Sequence, residues 1–174
     1  PLAMQDWSGL SLAVGASIAA SLHESIRLKW PNDLWLDDRK LGGILIETTS
    51  VGSQRYAVIG VGINIALPPA QGLATPPAGL QELLPGVDGP AALLRLARPL
   101  VQALQRFEST GFASARAAFE ARDALRGRKV CATGPGDEAL EGVACGVSAS
   151  GALLVQTPVC IKEISSSEVS VRPA

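Results

Sequence analysis

The chain has 174 residues, 47% hydrophobic and 18% charged, with 15 Lys+Arg against 16 Asp+Glu and a formal charge of −1. That balance excludes global disorder and gives none of the clustered positive charge that sequence-independent phosphate binding needs, so no nucleic acid is expected as a partner of this chain itself. The length suits one domain with a core of its own, plus a small second domain.

The chain begins "PLAMQDW", without an initiator Met and directly before a helical pattern, and reads as cut from something longer. From Ser8 to Glu24 the residues are small and apolar nearly all round (Leu10, Val14, Ile18, Leu22), which predicts a helix buried against a sheet, with Ser8 as its N-cap. Its apolar stretch, Leu10 to Leu22, is too short and serine-rich to span a bilayer, and no charged region precedes it as in a signal peptide. No membrane association and a cytoplasmic location are therefore expected.

"IRLKW" reads as a strand broken at Pro31-Asn32-Asp33, "LWL" resumes it, "DDR" turns it, and "KLGGILIETTS" runs back antiparallel. "RYAVIGVGINIAL" from Arg55 is apolar on both faces and is expected as a central strand. Pro68 to Pro90 forms a long Pro/Gly/Ala-rich loop with one short helical piece at Leu80 to Leu84. Leu93, Leu96, Leu100, Leu104 and Phe107 then mark a helix ending near Glu108, and Gly111 to Leu125 a second, Ala-rich helix with Phe112 and Phe119. Beyond Arg126-Gly127-Arg128 the period becomes two: "KVCAT", "ALEGVACGVS", "ALLVQ", "CIKEI" and "EVSVR" are short strands, the pattern of a small barrel. The reading is an α/β domain over 1–126 followed by an all-β domain over 127–174. Cys131, Cys145 and Cys160 are odd in number and too widely spaced for a zinc site, so buried, inert thiols are expected and no protein-held metal.

Within "RLKWPNDLWLDDRKLGGILIE", Lys40 follows a turn and precedes a Gly42-Gly43 pair. Glycines in a strand mark either a bulge or a place where a ligand approaches the backbone, and a hairpin lysine is either a solvated surface residue or a cation facing a cleft. "GVGIN" repeats the theme, with Gly60 and Gly62 lightening a strand that ends in Asn64, whose side chain carries both donor and acceptor. Such strands suggest a small-molecule site where a cation faces an anion. Neither a Walker loop nor a dinucleotide fingerprint is present.

"KWPND", "RKLGGILIE" and "VIGVGIN", in that order, closely resemble the biotin protein ligases (biotin–acetyl-CoA-carboxylase ligases), and "SGALLVQTPVCIKEISSSEVSVR" resembles that family's C-terminal β-barrel. The resemblance covers essentially the whole chain. It implies an α+β sheet with packed helices, the class II synthetase-like biotin/lipoate ligase fold, with a small all-β barrel behind it. It further implies that biotin and ATP, the latter with Mg2+, form biotinyl-5'-AMP, and that biotin then passes to a lysine of a biotin carboxyl carrier protein of acetyl-CoA carboxylase. On this basis Lys40 matches the essential lysine, and Asp33 orients or deprotonates the incoming amine, unless it only caps its own turn. Gly42, Gly43 and Leu45 join Lys40 around biotin. Lys29, Asn32, Gly62, Asn64 and Arg172 fall to the nucleotide side.

Two departures from the family pattern stand out. No glycine- and arginine-rich biotin loop precedes Pro1, so weak biotin binding is expected of this polypeptide, and no aromatic residue lies between Asn64 and Leu80 to stack on adenine. Two alternatives stay open: the ligand-sensing and dimerisation part of a biotin-dependent repressor, with a DNA-binding domain upstream, or an inactive remnant. A homodimer is among the assemblies the resemblance allows.

Overall fold

The computed structural model describes residues 7–52, 54–70, 72–73, 75–133, 139–165 and 170–173. In chain order these form α1 (Leu10–Leu22), β1 (Arg27–Lys29), β2 (Asp33–Leu36), β3 (Arg39–Val51), β4 (Gln54–Ile63), a 3-10 turn (Leu80–Glu82), α2 (Gly89–Thr110) and α3 (Ala113–Glu120). Then come β5 (Lys129–Thr133), β6 (Leu140–Val147), β7 (Leu153–Gln156), β8 (Ile161–Ile164) and β9 (Ser170–Pro173). The first four strands pair as an antiparallel sheet in chain order, and the last five as a second antiparallel sheet ordered β8-β7-β6-β5-β9. No pairing joins β8 to β9 among the described residues. Glu168 and Val169, expected to open the last strand, lie outside the described residues.

Helix α1 carries the core. Leu10, Leu12, Val14, Ile18 and Leu22 are all buried, and the helix lies between the first sheet and the pair α2/α3. Gly15 permits the close approach to the sheet, because a Cβ there would stand 3.2 Å from Leu28 and 3.3 Å from Ile44. The helix begins two residues later than expected. Gly9, at φ 76°, stands at the N-cap, so Ser8 is not the N-cap residue. The left-handed turn delivers the chain, and Gly9 tucks against Phe112, to which a Cβ would approach within 2.6 Å.

Strand β4 is not central. Its only strand partner among the described residues is β3, and it forms the sheet edge. Ile59, Val61 and Ile63 pack toward the core, whereas Val58, Gly60 and Gly62 alternate with them on the open side. Glycine has no side chain to reveal its face as polar, so a half-buried strand looked apolar on both. α2 is capped by Asp88, which accepts from the Ala91 N–H at 2.8 Å, with Pro90 early in the first turn. Leu96 and Phe107 enter the core while Leu93 is 60% exposed, so the buried face is narrower than the leucine spacing implied. α3 is shorter than expected because the chain leaves it to bond along β1: Leu28 N–H donates to Arg122 O and Ala124 N–H to Leu28 O. Arg122 donates to the carbonyls of His23, Glu24 and Ile26, closing the loop after α1.

The cysteine expectation fails. Cys131 is only half-buried and Cys145 and Cys160 are exposed, because they sit on the outer face or at the edge hairpin of the small sheet. No helix of the described residues is long and apolar enough to cross a membrane.

The two sheets are joined by Trp30, which is fully buried and donates from Nε1 to Gly151 O at 3.0 Å, and by the Arg128–Asp38 ion pair. Trp30→Phe strands that buried carbonyl, costing about 1–3 kcal/mol and lowering the thermal midpoint by several degrees. Calorimetry of the variant against the parent checks it, and an unchanged midpoint would show that the link is idle.

Candidate functional site

A tight turn starts the site. Asp37 and Asp38 both adopt left-handed backbone conformations (φ 48° and 59°), which reverses the chain between β2 and β3 within two residues. Pairing then runs Leu36 with Arg39 and Trp35 with Lys40, and slips so that Leu34 faces Gly42 and Asp33 faces Gly43. The slip is a β-bulge that sends Leu41 fully into the core and re-aims Lys40 across the open face.

One cross-strand row results. Lys29 is opposite Asp33, Asp33 opposite Gly43, and Gly43 opposite Gly62, one residue from each of the four strands. Residues directly opposite share a face, so two charged side chains stand beside two bare stretches of backbone. Lys40 folds over the row, its Nζ 2.6 Å from Asp33 Oδ1, while Lys29 Nζ lies 3.6 Å from Asp33 Oδ2. Lys29 also stands 5.4 Å above the buried Trp35 ring. Burial pushes the Lys29 ammonium below its ordinary pKa; Asp33 opposes the shift, and the positive charges of Lys40 and Arg172 reinforce it. Arg172, on β9, is thus within electrostatic reach of the row although it belongs to the small sheet.

The two adjacent glycines do different jobs. A Cβ on Gly42 would lie 2.3 Å from Gly62 O, so the position requires glycine for β3 and β4 to pair. A Cβ on Gly43 would meet Asp33 Oδ1 and Lys40 Nζ at an ordinary 3.6 Å, so packing does not require glycine there.

The groove holds about 830 Å³. Gly42, Gly43, Gly62 and Ile63 form its floor, Lys40 and Asn64 one end, and Pro68, Leu73, Thr75 and Pro77 the outer wall. Of the sequence-predicted residues, Lys40, Gly42, Gly43, Gly62 and Asn64 therefore meet in one groove, with Asp33 against Lys40 and Lys29 against Asp33. Asn32 and Leu45 are not among them. Asn32 is committed to β3, donating from Nδ2 to Ile44 O and accepting at its backbone carbonyl from Ile44 N–H. It lines a separate cavity of about 420 Å³ with Leu45, Trp7 and Ser11, and Leu45 itself is 62% exposed.

Sequence reasoning missed Trp35 beneath Lys29 and the outer wall. The wall segment bonds to β3 itself: Lys40 N–H donates to Pro76 O and Ala78 N–H to Lys40 O, both at 2.8 Å. Arg39 clamps Glu82 through two hydrogen bonds at 3.1 and 2.7 Å, and Glu82 accepts from Gly79 N–H. The Pro76-Pro77 pair, extended by nature, was the available signal. Among the described residues no group of three His, Cys, Asp or Glu side chains can hold a metal ion. Two ammoniums surround one carboxylate, with a third cation in electrostatic reach, next to a bare backbone floor, so the open end of the groove carries positive potential.

Residues 2–64 match the model of the biotin/lipoate A/B protein ligase family, and residues 127–172 that of the biotin protein ligase C terminal domain. The chain is 37% identical over 177 residues to the bifunctional ligase/repressor BirA of Escherichia coli, covering 95% of this chain and 54% of that protein. It is 34% identical over 175 residues to the biotin–[acetyl-CoA-carboxylase] ligase of Paracoccus denitrificans, covering 97% of this chain and 69% of the relative. The biotin protein ligase of Aquifex aeolicus in complex with biotin and ATP superimposes with a TM-score of 0.84 at 26% identity, over 98% of this chain and 74% of that one. The chain spans about half the length of the BirA relatives it matches.

Gly42→Ala is expected to lower the thermal midpoint by several degrees, on the order of 1–3 kcal/mol, since the backbone carbonyl it meets cannot move without parting β3 from β4. Gly43→Ala should leave the midpoint nearly unchanged. Equal losses at both positions would mean that Gly43 too is kept for packing.

Proposed function

Because the chain belongs to the biotin protein ligase family, we propose that it carries the catalytic chemistry of a biotin–protein ligase. In this reading biotin and ATP give biotinyl-5'-AMP and pyrophosphate, and biotin then passes to a lysine of a biotin carboxyl carrier protein of acetyl-CoA carboxylase, releasing AMP. The observation that carries it is the Lys40–Asp33 pair lying over a floor of glycine backbone.

In the first step a carboxylate oxygen attacks the α-phosphorus and the bond to the pyrophosphate oxygen breaks. Two anions must approach, and an ammonium held between them offsets their repulsion most where charge accumulates. Lys40 is suited to this. Its head is half-exposed in the groove, and the bulge and the strap of residues 76–78 hold its backbone. Asp33 keeps the ammonium aimed before the substrates arrive. Lys29 and Arg172 supply positive potential toward the phosphates, and burial beside Trp35 leaves Lys29 short of hydration that would weaken its field.

Biotin's fused rings are proposed to lie on Gly43 and Gly62, where side chains would intervene, with Gly42 keeping the floor flat and Leu45 farther along β3. Gly62, Asn64 and the apolar wall border the nucleotide. Asn32, bonded to Ile44, supports the floor from beneath more readily than it meets a nucleotide. Magnesium enters on the phosphates of ATP. In the second step the carrier lysine's amine attacks the acyl carbon and AMP leaves, with Asp33 orienting the amine. We assign the reaction to the cytoplasm, where ATP is supplied. The name of the Escherichia coli relative, ligase/repressor, favours a second reading for the same fold as the ligand-sensing and dimerising part of a biotin-dependent repressor.

Lys40→Ala in the full-length protein should reduce biotin-dependent pyrophosphate release about a hundredfold, roughly 3 kcal/mol of transition-state stabilisation. Folding should survive, since Asp33 keeps Lys29 as a partner. A rate within a few-fold of the parent, measured at saturating biotin and ATP, would refute the assignment.

A further inference from the structure

The residue before Lys40 reaches the outer wall with its side chain. Arg39 opens β3 at the Asp37-Asp38 turn, and its guanidinium meets Glu82, 43 residues on, with Nη1 donating to Oε1 at 3.1 Å and Nη2 to Oε2 at 2.7 Å. A fork set on a carboxylate fixes direction as well as distance, which the point charge of a lysine cannot do. The Arg39 guanidinium is raised and the Glu82 carboxyl held below the usual carboxylate range, each mainly by its hydrogen bonds to the other. Glu82 has a second task. Its Oε1 also accepts from Gly79 N–H at 2.8 Å, drawing the 3-10 turn onto the end of the strap that carries Pro77. Gly79 packs on the chain leaving β4, where a Cβ would stand 2.6 Å from Leu67 N. The next two N–H groups, of Leu80 and Gln81, donate to Asn64 O and Ile65 O. Those bonds tie the turn to the exit of β4, and the Arg39–Glu82 clamp ties it to the start of β3. Neither Arg39 nor Glu82 lines the groove itself.

We infer that Arg39 and Glu82 are positioning residues, which together hold the wall at Pro77 at a set distance from the glycine floor and so fix the width of the groove beside the nucleotide. This role rests on the ligase reading above, in which the apolar wall borders the nucleotide. Pro77 is buried and lines the groove between the strap's two backbone bonds to Lys40. Those bonds fasten the strap to β3 at one residue, and the clamp adds a second point of attachment on the same strand. Two points set an orientation where one permits a pivot. Lys40 keeps its own place without the clamp, since β2 pairs with its backbone on one edge and the strap on the other. Losing the clamp therefore weakens nucleotide binding and spares the chemical step.

The test varies ATP at saturating biotin in the full-length protein and follows biotin-dependent pyrophosphate release. Arg39→Ala removes the fork. Glu82→Gln removes the charge but keeps an acceptor for Gly79 N–H, and serves the same comparison should the alanine variant fail to fold. Each should raise KM for ATP by about three- to tenfold and leave kcat within about twofold. Arg39→Lys should resemble Arg39→Ala more than the parent, because a single point charge does not restore the fork. The double variant Arg39→Ala/Glu82→Gln should bind ATP no worse than the weaker single variant, since one interaction is lost in all three. A KM for ATP that stays parental in the single variants, even with a lowered thermal midpoint, would overturn the inference. So would a fall in kcat with KM intact, or a double variant whose loss is the product of the two single losses. Parental protein that releases no pyrophosphate in response to biotin would overturn the ligase reading, and this role with it. An active parent whose variants keep its KM for ATP overturns the role alone.

Discussion

Asp33 sits between two lysines, and the open face of the first sheet depends on that arrangement. Lys29 and Asp33 are largely withdrawn from water, where an unpaired charge is costly, and Lys40 completes the group from the half-exposed side. Two cations around one carboxylate leave a net positive charge, so the group is satisfied internally yet still attracts an anion. Such a cluster needs Lys29 and Asp33 directly opposite on neighbouring strands and Lys40 brought back over them. The Asp37-Asp38 turn and the bulge at Leu41 accomplish this.

Rigidity behind the face makes the aim durable. Helix α1 lies close on the reverse side of the sheet because Gly15 admits it, and Leu34, Leu41 and Ile44 are buried beneath the strands that bear Asp33, Lys40 and Gly43. The backbone of Lys40 is held on both edges, by β2 through the hairpin and by the Pro76–Ala78 strap. What is left mobile is a four-carbon side chain with three donors, well suited to exchange Asp33 for an incoming phosphate or carboxylate oxygen. The small sheet contributes charge from a distance through Arg172, and it is locked to the first sheet by Trp30 and by Arg128.

Much of this was legible in the residues. The hairpin followed from Asp-Asp between alternating apolar runs, and the five short strands of the second sheet from their period of two. The motifs "KWPND", "RKLGGILIE" and "VIGVGIN" pointed to the family and to Lys40. What escaped depends on tertiary contact. The place of β4 at the edge was hidden because Gly60 and Gly62 carry no polarity to mark the open face. Ser8 was a sound cap in isolation, but Gly9 turns left-handed to pack on Phe112, a residue about a hundred positions away. Asn32 and Asn64 read as ligand groups, since an amide exposes donors and acceptors in any sequence. Only the fold reveals that their nitrogens are bonded to Ile44, Lys40 and Ala78. The strap lay in a loop whose prolines announced extended chain without naming its partner.

A crystal structure of the full-length protein with a non-hydrolysable biotinyl-adenylate analogue tests the central claim most directly. The account predicts the fused rings against the backbone of Gly43 and Gly62, the phosphate-mimicking oxygen within hydrogen-bond distance of Lys40 Nζ, and Lys29 still paired with Asp33. An analogue bound away from this floor, or a Lys40 that keeps its bond to Asp33 and never meets the phosphate position, would contradict it.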